Sequence, residues 1–217
     1  MTENILTLFG LWTGNLIPEL LKGLGFGLIT LIPLYIVGGL IGKITYTIGA
    51  LKDWIDGLIL TAGGLLTAIG EEVIFRGVVM HLLFYILGVM LVISNIDSGI
   101  AVDVSIFITA LLFAWVHFAL GMYKDENALS PKGLGLTILG IVLGCSVAIT
   151  GNIWTGVGIH WGWITVVSIM PNWFCAKVDK GWTEWFNETH PVVGTIGGIL
   201  AAIFAWITLR DYFKKSS

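Results

Sequence analysis

From Gly57 to Ser94 the chain runs for 38 residues broken only by Glu71, Glu72, Arg76 and His81. As one helix at ~1.5 Å per residue, such a run is about 57 Å long, nearly twice the ~30 Å hydrocarbon core of a bilayer. A soluble domain of 217 residues has no interior that could bury an element so apolar on every side. The run therefore implies lipid around it, and either a helix that protrudes from the membrane or one that breaks near Gly70. Composition agrees: 56% of residues are hydrophobic and 12% charged, where soluble domains carry roughly 25% charged residues.

Other apolar segments have the length of a span. Gly23 to Gly42 is bracketed by Lys22 and Lys43, and Pro33 is expected to bend it. Gly99 to Tyr123 carries Asp103 and His117. Gly133 to Thr150 and Ile153 to Met170 flank Gly151-Asn152, and Val192 to Leu209 precedes Arg210, Lys214 and Lys215. The expected fold is all-α: a polytopic transmembrane helix bundle of six to eight spans around a polar intramembrane cavity. Residues 1–217 form a single integral membrane domain with a motif-bearing core at about 57–170. The first residues lack the cationic start and cleavage site of a signal peptide.

Twenty-nine glycines suit helices packed closely in lipid, and Gly38/Gly42, Gly140/Gly144, Gly158/Gly162 and Gly194/Gly198 are candidate crossings. The segment Pro171 to His190, with Trp173, Trp182 and Trp185 among charges, reads as a loop at headgroup level. Positive-inside counting puts the Lys43/Lys52 loop, the Lys124/Lys132 loop and the basic tail in the cytoplasm. Cys145 and Cys175 lack CxxC spacing and read as packing residues. Eleven basic against fourteen acidic residues, a net charge of -3, exclude a phosphate-gripping surface, so nucleic acid is not an expected partner.

Ionisable groups inside apolar spans carry the functional information. Each costs roughly 2.5–3.5 kcal/mol at a helix centre, so such groups face a water-filled interior or a partner. On a helix Glu72 and Arg76, four apart, share a face and can pair, whereas Glu71 points about 100° away. Arg76 would neutralise and orient Glu72 and leave Glu71 free to hold a water. Phe113 and His117 lie one turn apart on another span, and His160 on a third. Either histidine alone is as well explained by a bond to a carbonyl. Together, two carboxylates, an arginine and two histidines on three helices imply one polar cavity. A carboxylate there can take a proton from water, and histidines can orient that water or stabilise a developing oxyanion. Water attack on a peptide carbonyl needs this set and no covalent nucleophile.

At these residues the sequence resembles the CAAX prenyl protease and bacteriocin-processing (CPBP, or Abi) family of intramembrane glutamic proteases. Glu71-Glu72-x-x-x-Arg76 matches the family's first motif, Phe113-x-x-x-His117 the second, and His160 the third. The resemblance implies Glu71 as general base, Glu72 and Arg76 as its support, and His117 and His160 as groups that orient water and stabilise the oxyanion. It further implies an endopeptidase with no metal or other cofactor, acting on a prenylated tail or a leader or bacteriocin peptide. The chain would then be a multi-pass protein surrounded by membrane lipid, with the cell membrane of a prokaryote as the expected location. One position departs from the pattern: four residues after His160, where the family often has Asn or Asp, stands Ile164. Asn152, more than two turns before His160, reads as a turn or cap residue.

Other readings use the same residues. Two histidines and a glutamate can hold zinc, but no His-Glu-x-x-His helix is present. A non-catalytic immunity or scaffold protein could bind a peptide in the same cavity. A transporter could use Glu71, Glu72 and His117 as a proton path, though no inverted repeat is visible.

Overall fold

The computed structural model describes residues 15–94, 100–120, 130–178 and 203. Five helices run through them: α1 (Leu16–Leu40), α2 (Leu51–Ile93), α3 (Ile100–Ala119), α4 (Pro131–Thr150) and α5 (Ile153–Trp173). All five are long and apolar enough to cross a membrane. The bundle is all-helical apart from the two-residue strands β1 (Ile44–Thr45) and β2 (Lys177–Val178), paired antiparallel. Five spans among the described residues stand against the expected six to eight. The expected span Val192–Leu209, the Gly194/Gly198 pair and the Trp182/Trp185 segment lie outside those residues.

The long apolar run does not break at Gly70. It is one helix of 43 residues, α-helical over Leu51–Glu72 and His81–Ile93, with a π-helical stretch over Val73–Met80 between them. In a π-helix each N–H reaches five residues back, so the turn widens without the chain leaving the helical path. His81 closes the stretch by donating from Nδ1 to the Arg76 carbonyl at 2.6 Å. The wide turn therefore begins just after Glu72 and contains Arg76.

Small residues set the crossings. Gly158 and Gly162 of α5 meet Gly23 and Gly27 of α1 backbone to backbone; a methyl built on Gly158 would lie 2.8 Å from the Gly23 Cα. The match of 23 with 158 and 27 with 162 makes these two helices parallel. Gly140 and Gly144 of α4 face Ala110 and Ile106 of α3, and that order makes α3 and α4 antiparallel. The Gly38/Gly42 pair is not a crossing. Gly42 has a φ of 70° and ends α1, with Lys43 N–H bonded to the Gly38 carbonyl and Gly42 N–H to that of Gly39. That is a Schellman cap, in which the left-handed residue is favourably glycine.

Helix α5 is the hub. Its Trp163 donates to Thr30 of α1 at 2.8 Å, and its Trp161 donates to the Thr61 carbonyl of α2 at 2.9 Å. Leu31, Tyr35, Leu139, Leu143, Ile159 and Trp163 fill the space between α1, α4 and α5. Asn152 caps α5, its Oδ1 accepting from Trp154 N–H at 2.8 Å. With α2 antiparallel to α5, the basic residues Lys43, Lys52, Lys132 and Lys177 all come to the end of the bundle where α1 and α5 finish. Cys145 and Cys175 are unpaired and half-buried.

Candidate active site

The five ionisable residues singled out in the sequence meet in the middle of the bundle. Glu71, Glu72 and Arg76 come from the junction of the α and π parts of α2, His117 from the last turn of α3, and His160 from the second turn of α5. Glu72 Oε1 accepts Arg76 Nη1 at 2.9 Å and His160 Nδ1 at 3.1 Å. Arg76 Nη2 donates to the Gly140 carbonyl of α4 at 3.0 Å. The guanidinium lies 4.7 Å from the centre of the Phe113 ring, within range of a cation–π contact. Three helices thus hold one arginine, and the fourth, α5, joins the network through Glu72.

Glu71 stands apart from this network. Its Oε2 is 3.8 Å from His117 Nε2 and 3.7 Å from His160 Nε2, and has no hydrogen-bond partner among the described residues. Those separations exceed a hydrogen bond. Glu72 and Arg76 are fully buried, whereas the side chains of Glu71, His117 and His160 are 19%, 13% and 11% exposed. The partly exposed members of the cluster are therefore on the Glu71 side, although Glu71 Oε2 itself is buried.

Both imidazoles are oriented through Nδ1. His117 Nδ1 lies 2.7 Å from the Phe113 carbonyl and His160 Nδ1 3.1 Å from the Glu72 carboxylate. A carbonyl and an ionised carboxylate only accept, so each Nδ1 is the donor and each Nε2 is turned towards Glu71. Phe113 supports both rings, at centroid distances of 4.5 Å from His117 and 5.9 Å from His160, and is itself packed edge-on by Phe75.

A family model described as Type II CAAX prenyl endopeptidase Rce1-like matches residues 53–166, more than half of the chain. The chain belongs to that family. The matched span of this Rce1-like protein contains Glu71, Glu72, Arg76, His117 and His160. No curated protein and no solved structure matches it. Membership of a CAAX prenyl endopeptidase family makes it an integral membrane protein of a protease family.

Three contacts in the site are not marked in the sequence. The Gly140 carbonyl is backbone, and nothing in a sequence marks which carbonyl an arginine reaches. Phe113 reads as a motif residue beside His117, but its contacts with His160 and Arg76 arise only on folding. Gly156 faces Glu72 across the α2–α5 interface, where a methyl would lie 3.2 Å from Glu72 Oε2. Ile164, in the position of the usual polar residue, packs its aliphatic side chain on Gly64 of α2. Among the described residues no group of three or more His, Cys, Asp or Glu has an arrangement suited to a metal ion.

Proposed function

We propose that this Rce1-like protein is an intramembrane endopeptidase that hydrolyses its peptide substrate with a water activated by Glu71. The observation that carries this reading is Glu71 Oε2, which has no hydrogen-bond partner among the described residues and is set 3.7 and 3.8 Å from two imidazole nitrogens. The spacing suits one oxygen held between the three groups. Glu71 takes a proton from the water as its oxygen bonds to the peptide carbonyl carbon. His117 and His160 orient the water and stabilise the charge that develops on the carbonyl oxygen. Glu71 returns the proton to the leaving nitrogen as the C–N bond breaks, giving a carboxylate and an amine. Glu72 and Arg76 remain paired and hold His160 in register. The chemistry needs no metal or other cofactor.

The family description favours a CAAX-type C-terminal tail, prenylated, as the substrate, presented from the membrane of a prokaryotic cell; a leader or bacteriocin-type peptide fits the same chemistry. The test is cleavage of prenylated and unprenylated peptides by the detergent-solubilised chain, with Glu71→Gln and a chelator-treated sample alongside. Activity that survives chelation and is lost in Glu71→Gln is the expected result. A folded, monodisperse wild type that cleaves nothing overturns the reading and favours a scaffold or immunity protein. Activity abolished by the chelator overturns the metal-independent mechanism.

A further inference from the structure

A cavity of about 220 Å³ lies apart from the candidate active site, where the second half of α2 meets the start of α3 and the end of α4. Met80, Ile106 and Val147 form its floor, and all three are buried in one apolar cluster with Ile153. Phe84, Ala148 and Gly151 surround the mouth, and all three are exposed. Gly151 ends α4 and Val102 stands in the first turn of α3. The mouth is therefore near the helix ends, at the opposite end of the bundle from Lys43, Lys52, Lys132 and Lys177. Two polar side chains reach the wall, and both donate within the chain. Ser105 Oγ bonds the Ala101 carbonyl at 2.6 Å and His81 Nδ1 the Arg76 carbonyl at 2.6 Å. A cavity lined in this way excludes water and accepts hydrocarbon; an apolar cavity of about 150 Å³ already takes a benzene-sized molecule.

We propose that this cavity binds one acyl chain of a membrane lipid, drawn from the leaflet opposite the lysine end. The mouth faces hydrocarbon, because Phe84 stands beside exposed Tyr85 and Ile86 and Ala148 beside exposed Ile149. The volume suits a segment of one chain and not a headgroup. A substrate held at Glu71 does not reach it directly, because Val147 stands between. Val147 lines the cavity and also lies 3.4 Å from a methyl built on Gly156, the same methyl that would meet Glu72 Oε2 at 3.2 Å. The wall thus touches the buried Glu72–Arg76 pair twice. Val147 backs on to the neighbourhood of Glu72, and Met80 and His81 close the π-helical stretch that carries Arg76. A chain in the cavity packs against both elements and braces the pair from the side away from Glu71. The site does not depend on the hydrolase reading.

The test reconstitutes the full chain in vesicles of phosphatidylethanolamine and phosphatidylglycerol containing a phosphatidylcholine with a diazirine in one acyl chain. After irradiation, adducts are mapped by mass spectrometry. They are expected on Met80 and Ile106, which are buried from lipid that merely surrounds the bundle, and on Phe107, 52% exposed, as the lipid-facing control. Ala148→Trp, whose ring fills the mouth, should remove the Met80 and Ile106 adducts and keep that on Phe107. If it does not fold, Val102→Phe takes its place. In detergent, added phospholipid should raise the melting temperature of the wild type about 2–4 °C more than that of the blocked variant. Adducts on Phe107 alone overturn the proposal, whatever else fills the cavity. A peptide with a photoreactive isoprenoid that labels Met80 in preference to the lipid overturns the lipid as occupant. Adducts on Met80 with equal melting shifts in wild type and variant overturn the brace. Adducts on Met80 in a chain that hydrolyses no peptide would uphold the site and leave only the hydrolase reading to fall.

Discussion

His160 donates through Nδ1 to Oε1 of Glu72 at 3.1 Å, tying α5 to α2 across 88 residues of sequence. The same oxygen accepts Arg76, so the buried ion pair is part of the geometry that aims an imidazole at Glu71. Buried ion pairs contribute little net stability, because the loss of hydration offsets their attraction. What this one supplies is direction. A carboxylate fixed by an arginine can orient a histidine, and a fixed histidine can face a second carboxylate 3.7 Å away.

Removing one member of the pair separates these roles. Arg76→Met leaves the Glu72 charge buried without its partner and should cost about 3–5 kcal/mol, read as earlier unfolding in a detergent-denaturant titration. The double variant Glu72→Gln/Arg76→Met removes both charges and should recover most of that loss. It should remain inactive, because His160 has lost an ionised acceptor. A double variant as unstable as Arg76→Met would show that packing, and not the stranded charge, sets the cost.

Phe113 supports both imidazoles and the guanidinium. Phe113→Ala should destabilise the chain by about 3–5 kcal/mol through the cavity it leaves. Phe113→Leu keeps much of the volume but removes the flat face, so its effect should fall on catalysis. A 10- to 100-fold loss of kcat, roughly what a misplacement of about 1 Å costs, is expected with the fold retained. Wild-type kcat in Phe113→Leu would show that the ring only fills space.

The cluster of Glu71, Glu72, Arg76, His117 and His160 was legible in the sequence because ionisable side chains inside apolar spans have few uses. Glu72 and Arg76, four apart on a helix, share a face and can pair, and the pair they form leaves Glu71 outside it. The Asn152 cap followed from its place between two spans. Less was legible wherever the partner is distant in sequence. Gly158/Gly162 read as a crossing, but its partners Gly23 and Gly27 read only as the start of a span. Gly38/Gly42 has the same spacing and is a helix cap. The π-helical stretch left no trace in the apolar pattern, so the run invited a break at Gly70 where the chain only widens its turn.

The contact between α1 and α5 can be tested at single glycines. A methyl on Gly158 meets only backbone of α1, with the Leu24 nitrogen at 2.7 Å and the Gly23 Cα at 2.8 Å, so no side chain can move aside. Gly158→Ala should lower stability by about 1–3 kcal/mol or more. Gly25→Ala, on the same stretch of α1 with nothing within 4 Å of the added methyl, should stabilise by up to about 1 kcal/mol through helix propensity. Equal melting temperatures for the two variants would contradict the crossing.

Ile164 lies one turn beyond His160 and packs on Gly64. Ile164→Asn places an amide donor within a turn of His160, which the proposed mechanism sets beside the reacting carbonyl. An added donor aimed at a developing oxyanion should raise kcat about tenfold, and burying the amide should cost about 1–3 kcal/mol in stability. Assaying turnover and melting temperature together distinguishes this outcome from simple damage. A variant that loses both activity and stability would show that the aliphatic wall is what the site requires.

The packing order fixes which loops share a side of the membrane. Helices α1 and α5 run parallel through Gly23–Gly158 and Gly27–Gly162, and α2 runs against α5, with Gly57 facing Trp173 and Gly64 facing Ile164. Helix α3 runs against α2 through Met80–Ile106 and Phe75–Phe113, and α4 runs against α3. Lys43, Lys52, Lys132 and Lys177 therefore lie at one end, and Asn152 at the other. By the positive-inside rule the lysine end is expected to face the cytoplasm. Single cysteines introduced at Lys43, Lys132 and the exposed Ser94 at the Asn152 end, in a chain with Cys145 and Cys175 replaced by alanine, test this with a membrane-impermeant thiol reagent. Cysteine at 94 should label in intact cells, and cysteines at 43 and 132 only after the membrane is opened. Labelling of 43 and 132 from opposite sides would be incompatible with the order of helices described here.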